Sequence, residues 1–137
     1  MFNKQAHLAK PLDFVGKTNV RAIKKHILDL EANGGTNMSS GMDMATSLLN
    51  KRKFLNSDGY ENRIIFVTDA QPNIAKTSNW ELDKIVRRNS DRGIYSTFIG
   101  VGIDFNTNVV ENITKSKGCN YYSFFRLSNS NCSFMDF

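Results

Sequence analysis

The sequence predicts a Rossmann-like α/β fold with three layers, in which a mainly parallel sheet lies between helices. Four segments with helical spacing of apolar residues alternate with three or four short segments rich in β-branched and aromatic residues. The connections between these segments are short, and no internal repeat occurs. Alternation of this kind favours right-handed crossovers, parallel strands and helices on both faces of the sheet.

The first two predicted helices lie on either side of a glycine pair. Residues 19–32 form the first helix, which the glycine pair ends. Residues 40–52 form the second, with Ser40 as its N-cap and Asp43 three residues later, close to a capping box. Each helix is expected to bury one apolar stripe, which comprises Val20, Ile23, Ile27 and Leu30 in the first and Met38, Met42, Ala45 and Leu49 in the second.

Three strands are predicted in the rest of the chain, and a fourth near its start. Residues 63–68 have a continuous apolar centre, which is typical of a strand covered on both faces. Residues 94–99 and 119–125 form the next two strands, because β-branched and aromatic side chains dominate them. A further short strand is expected within residues 1–12.

Two more helices separate these strands. The first is expected to begin at Ser78, with Glu81 completing a Ser-x-x-Glu capping box, and to end at Gly93. The second covers residues 107–117. The apolar face of the first helix is expected to bury Leu82, Ile85 and Val86.

Charge and cysteine content argue against several classes of function. The net charge is +5 and the pI is near 9.3, but eight of the 18 lysines and arginines lie at the C-terminal ends of predicted helices. The helix dipole favours cations at C-termini, so we expect no nucleic-acid partner. Cys119 and Cys132 lack metal-binding spacing and are interpreted as unpaired thiols. The sequence shows neither a signal peptide nor a transmembrane stretch and therefore predicts no compartment.

Two loops carry oxygen-bearing side chains at what should be one edge of the sheet. Thr36 follows the glycine pair and precedes a helix, and Asp69 directly follows the strand at residues 63–68. Open α/β sheets bind ligands outside the carboxyl ends of their strands, and hard cations such as Mg²⁺ prefer oxygen ligands. Taken singly, each residue is also a common cap or turn residue.

Three segments carry a family resemblance: GGTN at 34–37, IIFVTDAQPN at 64–73 and FIGVGIDFN at 98–106. With them the chain, from about Phe2 to Phe125, resembles the von Willebrand factor A (VWA) family, which includes integrin inserted domains. The resemblance implies a non-enzymatic adhesion or interaction module with a metal-ion-dependent adhesion site. In that site Thr36 and Asp69 would contact Mg²⁺ or Mn²⁺, directly or through water, and a protein partner would supply a carboxylate. The candidate partner contacts on the same loops are Asn37, Ser39, Gln71 and Asn73.

The sequence departs from the family pattern at one part of this site. The family's Asp-x-Ser-x-Ser loop, which follows its first strand, occurs nowhere in these 137 residues. We interpret the sequence as a VWA domain truncated at its N-terminus, without the first strand, first helix and second strand. One carboxylate and one hydroxyl are few ligands for Mg²⁺, so the expected dissociation constant is no tighter than roughly 10⁻⁴–10⁻³ M, and binding is weak or absent.

The domain boundaries and two alternative functions complete the prediction. Residues 1–126 are assigned to the partial VWA-like domain, and residues 127–137 to a Ser/Asn-rich tail that is disordered or cut before a last helix. The truncation leaves strand 63–68 as an exposed edge, which favours self-association. One alternative is a degenerate scaffold that binds partners without metal. The other, a Rossmann-type nucleotide-binding enzyme, is disfavoured because Phe105 replaces the third glycine of a dinucleotide fingerprint.

Overall fold

The computed structural model describes residues 1–29, 37–51, 59–68, 76–101, 112, 114–126 and 132–136. After a 3₁₀ turn at Val15–Lys17, the elements in chain order are α1 Val20–Leu28, α2 Met38–Asn50, β1 Asn62–Thr68, α3 Lys76–Asp91, β2 Ile94–Val101, β3 Asn120–Arg126 and β4 Cys132–Asp136. The strands form one sheet of order β1-β2-β3-β4, in which β1, β2 and β3 are parallel and β4 is antiparallel to β3. The predicted α/β class and mainly parallel sheet are confirmed.

The core lies between one face of the sheet and the helices α2 and α3. The apolar stripes predicted for these two helices are confirmed, because they supply its helical side. The sheet supplies alternate residues of β1 and β2, as expected for side chains that point to one face of a strand. The Phe66 ring stacks on Phe2, with centroids 4.5 Å apart, and lies 5.5 Å from Phe98. The buried apolar residues are Met38, Met42, Ile64, Phe66, Leu82, Ile85, Val86, Ile94, Phe98, Cys119 and Tyr121.

A buried chain of hydrogen bonds fastens α2 to α3. Asn89 in α3 is fully buried, and its Nδ2 donates to the hydroxyl of Thr46 in α2 at 2.7 Å. The Thr46 hydroxyl in turn donates to the main-chain oxygen of Met42 at 2.8 Å. An exposed ion pair between Arg88 and Asp43, at 3.5 Å, adds little. The relative position of the two helices therefore depends on buried polar groups as well as on apolar packing.

Arg63 holds together the amino edge of the sheet. Its guanidinium group donates to the Thr97 hydroxyl in β2 at 2.9 Å and to the main-chain oxygen of Gly118, just before β3, at 3.1 Å. The same group pairs with Glu61 at 2.7 Å and lies 5.7 Å from the centroid of the Tyr95 ring. One side chain thus joins the beginning of β1 to the middle of β2 and to the residues just before β3.

Helix and strand boundaries differ from the predictions at several points. The first helix ends at Leu28 instead of residue 32, and α3 begins at Lys76 instead of Ser78. Residues 1–12 contain no strand, only an isolated bridge between Phe2 and Ala6. In the tail, where disorder or a cut end was expected, β4 pairs with β3. The helix predicted at 107–117 falls largely outside the described residues, which show helical backbone there only at positions 112 and 114.

The N-cap of α2 was also predicted wrongly. Asn37, and not Ser40, is the cap, because its side-chain oxygen accepts a hydrogen bond from the Ser40 backbone N–H at 3.0 Å. The Ser40 hydroxyl instead accepts from the backbone N–H of Ala6 at 3.2 Å. A long-range contact therefore uses the hydroxyl that a capping box would have required.

Two predicted apolar surfaces are not buried. β1 was expected to be covered on both faces, but Ile65 and Val67 are 63% and 56% exposed, because the contacting helices α2 and α3 both lie on the other face. No residue of α1 is buried, so the burial expected for Val20, Ile23 and Ile27 is also wrong; Leu30 lies outside the described residues. Apolar periodicity indicates a face that can be buried, and burial also needs a packing partner.

Candidate functional site

The candidate site lies at the carboxyl edge of the sheet, where β1 ends at the buried Thr68. The two predicted metal ligands, Thr36 and Asp69, lie outside the described residues, as do the partner candidates Gln71 and Asn73. The structure describes the segments that flank both loops.

Three element ends converge at this edge. Leu49, near the end of α2, lines a small cavity together with Asn62, the first residue of β1. Hence α2 runs antiparallel to β1, and its N-terminus lies towards Thr68. The helix α3 must also run back along β1, because it connects two parallel strands. The described residues that flank the two predicted loops, Asn37, Thr68 and Lys76, therefore lie at the edge where β1 ends and α2 and α3 begin.

The described candidate residues, Asn37 and Ser39, lie at the start of α2. The Asn37 backbone N–H donates to the main-chain oxygen of Asn3 at 2.7 Å, so the N-terminal segment holds this end of the loop. The side-chain oxygen of Asn37 caps the helix, which leaves its amide nitrogen as the group to contact a partner. Ser39 is half-buried in the first turn of α2, two residues after the cap.

Trp80 is a candidate binding residue that the sequence analysis missed. It is the only tryptophan of the chain, is 61% exposed and lies in the second turn of α3. The Lys84 ammonium group lies 5.0 Å from the centroid of its ring, a distance typical of a cation–π contact. The sequence could have indicated its exposure, because Trp80 lies on the opposite side of the helix from Leu82, which was predicted to be buried.

The shifted pKa values within the described residues belong to the core below β2 and β3. Burial raises the pKa of Cys119, against smaller opposing effects of a hydrogen bond with the Ser96 backbone and of the Arg63 charge. Burial likewise raises the pKa of Tyr121, and a hydrogen bond with Ser123 partly opposes it. Neither group lies at the carboxyl edge, so both shifts are consequences of packing.

The described residues contain neither a cluster of metal-binding side chains nor a membrane-spanning helix. Those residues contain no group of three or more His, Cys, Asp or Glu side chains that could hold a metal ion. Within the same part of the chain, no helix combines the length and apolar character that crossing a membrane requires.

An open, mainly parallel sheet with polar loops at its carboxyl edge defines a class of α/β domains that bind ligands at that edge. Within this class, the sequence profile of the von Willebrand factor type A domain matches residues 1–136. The chain belongs to the VWA family, so the predicted resemblance is confirmed. VWA domains typically serve as protein-interaction modules.

Known proteins similar to this chain support the family assignment. The chain is 32% identical over 121 residues to inter-alpha-trypsin inhibitor heavy chain H4 of Bos taurus, an alignment that covers 85% of this chain and 13% of that protein. The Sus scrofa protein of the same name is 35% identical over 89 residues, covering 63% of this chain and 10% of that protein. The chain therefore spans only a small part of these relatives.

A solved structure shares the fold. The crystal structure of the SpRpn10 VWA domain matches with a TM-score of 0.60 and 15% sequence identity, over 82% of this chain and 56% of that chain. The roles of Thr36 and Asp69 stay predictions, because neither residue is among those described.

Proposed function

We propose that this chain is a non-enzymatic protein-binding module whose site is the carboxyl edge of the sheet. Thr36 and Asp69 would hold Mg²⁺ or Mn²⁺ there, and a protein partner would supply a carboxylate. The observation that supports this proposal is that the end of β1 and the beginnings of α2 and α3 lie at one edge of the sheet, and that Thr36 and Asp69 directly adjoin these element ends in the sequence. Helix N-termini also attract anionic groups such as a partner's carboxylate.

The donor set of this chain fits such a site only in part. Asp69 offers carboxylate oxygens and Thr36 a hydroxyl, both of which are suitable ligands for a hard cation. Mg²⁺ prefers near-octahedral oxygen coordination and keeps several waters, so two protein ligands leave most positions to water and to the partner. We therefore propose a dissociation constant of about 10⁻³ M for this chain alone.

Thermal unfolding with and without Mg²⁺ tests the metal proposal. With a dissociation constant of about 1 mM, about 10 mM Mg²⁺ stabilises the folded state by roughly 1.4 kcal/mol and raises the melting temperature by about 5 °C. Asp69→Ala should abolish this shift without loss of the cooperative transition. Asp91→Ala is the matched control, because Asp91 is exposed at the opposite end of α3.

Each outcome of this experiment has a defined meaning. A shift that disappears in Asp69→Ala and persists in Asp91→Ala supports the proposal. An equal shift in both variants assigns the metal to other residues, and no shift in the unmodified chain favours a metal-independent scaffold. In the longer protein, EDTA should abolish partner binding if the metal takes part, and alanine at Asn37, Ser39, Gln71 or Asn73 should weaken it.

A metal-independent scaffold is the second candidate, and the edge strand β1 favours it. Among the described strands β1 pairs with β2 alone, and its outer face exposes Ile65 and Val67. Beside it lies an apolar cavity of about 380 Å³, lined in part by Phe2 and Leu8. Exposed apolar edges are templates for pairing with another chain. Self-association through residues 63–68 is therefore part of this proposal.

Sedimentation velocity over a wide concentration range tests self-association. Val67→Lys should shift the chain towards monomer, because a charged side chain on an edge strand opposes pairing. Val101→Lys is the control, since Val101 is also exposed but belongs to the inner strand β2. A chain that is monomeric at every concentration would contradict the proposal.

The nucleotide-binding enzyme is not proposed. Gly100 lies within β2, where it pairs with Thr68 and Ser123, so it is part of the sheet and not of a phosphate-binding turn. The first glycine of the suspected fingerprint is therefore a paired residue of a strand.

A further inference from the structure

We propose that α1 and the turn before it, residues 12–28, form a peripheral binding site for an anionic lipid surface. This segment is termed the basic arm below. At nine residues, α1 is about 14 Å long, far shorter than the roughly 30 Å of a bilayer's hydrocarbon core, so it would lie in the interface. The proposal concerns a surface distinct from the carboxyl edge and does not depend on metal.

The basic arm exposes many apolar side chains within a short stretch. Val15 and Leu28 are 83% and 84% exposed, and no residue of α1 is buried. Scattered single apolar residues are normal on a surface, but a cluster of this kind marks an interaction site. The large exposed apolar residues of the basic arm are Leu12, Phe14, Val15, Val20, Ile27 and Leu28.

The basic arm is rich in cations, and Asp13 near its start is its one acidic residue. No acidic residue occurs between Asp13 and Asp29, whereas four cations do: Lys17, Arg21, Lys24 and Lys25. At 100° per residue, Val20, Ile23 and Ile27 fall on one side of α1, and Lys24 and Arg21 lie along one border of that stripe. A helix with an apolar stripe and a basic border is typical of elements that lie on anionic membranes.

Two features favour a lipid phase over a protein groove. The apolar residues belong partly to a 3₁₀ turn and partly to an α-helix, and a fluid phase accepts both shapes without a matching surface. The centroid of the Phe14 ring lies 5.8 Å from the Lys17 ammonium group. Aromatic rings and cations also occur together at the headgroup boundary of a membrane.

The local stability of α1 also suggests that binding would strengthen it. Asn19 caps the helix by accepting from the Ala22 N–H at 3.0 Å, and Lys25 and His26 lie in its last turn. These local contacts are weak support, because isolated helices shorter than about 12 residues are marginal in water. An apolar phase would supply the packing that α1 lacks, so its helical content should rise on binding.

Vesicle co-sedimentation of the full chain tests the proposal. The chain should bind phosphatidylcholine:phosphatidylserine vesicles at a ratio of about 3:1 at least tenfold more strongly than pure phosphatidylcholine vesicles, since each cation near an anionic surface contributes about fivefold. Binding should fall in about 0.5 M salt because of screening. The circular dichroism signal at 222 nm should deepen with the anionic vesicles only.

Matched variants separate the basic arm from net charge. Lys24→Glu combined with Lys25→Glu should lower binding at least tenfold, and Val20→Asp combined with Ile27→Asp should also abolish it. Lys115→Glu combined with Lys117→Glu makes the same charge change at exposed lysines elsewhere and should leave binding within about twofold. None of these residues belongs to the core, so all variants should keep the unfolding transition of the unmodified chain.

Several results would overturn the proposal. These are absence of vesicle binding, equal binding to both lipid compositions, or an equal loss in the Lys115/Lys117 control, which would indicate net charge alone. Binding to polyglutamate without binding to anionic vesicles would replace the lipid surface with an acidic protein partner. EDTA should not change vesicle binding, so failure of the metal proposal leaves this test intact.

Discussion

The buried link between Asn89 and Thr46 allows a quantitative test of how α2 is fixed to α3. Thr46→Val keeps the side-chain shape but removes the hydroxyl that accepts from Asn89 at 2.7 Å. The fully buried amide then lacks its partner, which costs about 1–3 kcal/mol, and the bond to Met42 is also lost. One added methyl group offsets about 0.8 kcal/mol. The free energy of unfolding should fall by about 2 kcal/mol.

Asn89→Leu should have a much smaller effect, although it removes the same hydrogen bond. Among the described residues, the Asn89 Oδ1 atom has no hydrogen-bond partner, so leucine also removes a buried polar group that is not satisfied. Leucine has the same branched shape and number of side-chain heavy atoms, and the Thr46 hydroxyl still donates to Met42. The expected change in stability is within about 1 kcal/mol of zero.

Urea unfolding of the two single variants and the double variant measures this difference. In the Asn89→Leu background no amide is left unpaired, so Thr46→Val should cost about 1 kcal/mol less than it does alone. Trp80 fluorescence and circular dichroism provide two probes of the same transition. Equal costs of Thr46→Val in both backgrounds would refute the reasoning, as would a loss above about 3 kcal/mol for Asn89→Leu.

Gly118→Ala should destabilise the protein by more than about 2 kcal/mol, because Gly118 has φ +71° and an added Cβ would overlap the Tyr95 ring. Gly59→Ala, at φ +89° with open space around it, should cost only about 1 kcal/mol in the same denaturation assay. Equal losses of stability in the two variants would show that the Tyr95 ring adds nothing to the cost at Gly118. Burial raises the pKa values of Cys119 and Tyr121 above their ordinary values of 9.0 and 10.0. Both groups therefore stabilise the fold fully below pH 9, and this contribution is lost as pH rises through their folded-state pKa values. Melting temperatures should fall above pH 9, and Cys119→Ala should flatten the start of that fall.

Helical periodicity predicted the core-facing sides of α2 and α3 correctly because both helices have packing partners. The same reasoning failed for Ile27 in α1 and for Val67 in β1. Periodicity and apolar runs describe one segment at a time, whereas burial depends on which second surface reaches it. The cap of α2 is a similar case, because the Ala6 N–H occupies the Ser40 hydroxyl from 34 positions away in the sequence.

The candidate site stays a prediction, although the strand end that precedes Asp69 was predicted correctly. Asp69 follows β1 directly, and the structure confirms that β1 ends at Thr68 beside the beginnings of two helices. The geometry of Thr36 and Asp69 was not predictable, since loop conformation depends on contacts that no local pattern encodes. Trp80 was not predicted as a binding residue, because an apolar stripe identifies only the side of a helix that faces the core.

The position of Arg63 has a consequence for how this domain can change over time. Its guanidinium group joins the start of β1 to β2 and to the residues just before β3, whereas the candidate binding loops follow the other end of β1 and precede α2 in the sequence. Substitutions and insertions in those loops therefore leave the hydrogen bonds of Arg63 between strands unchanged. Descendants of this sequence can acquire new partners through loop changes, whereas a change at Arg63 would loosen the sheet whatever the partner.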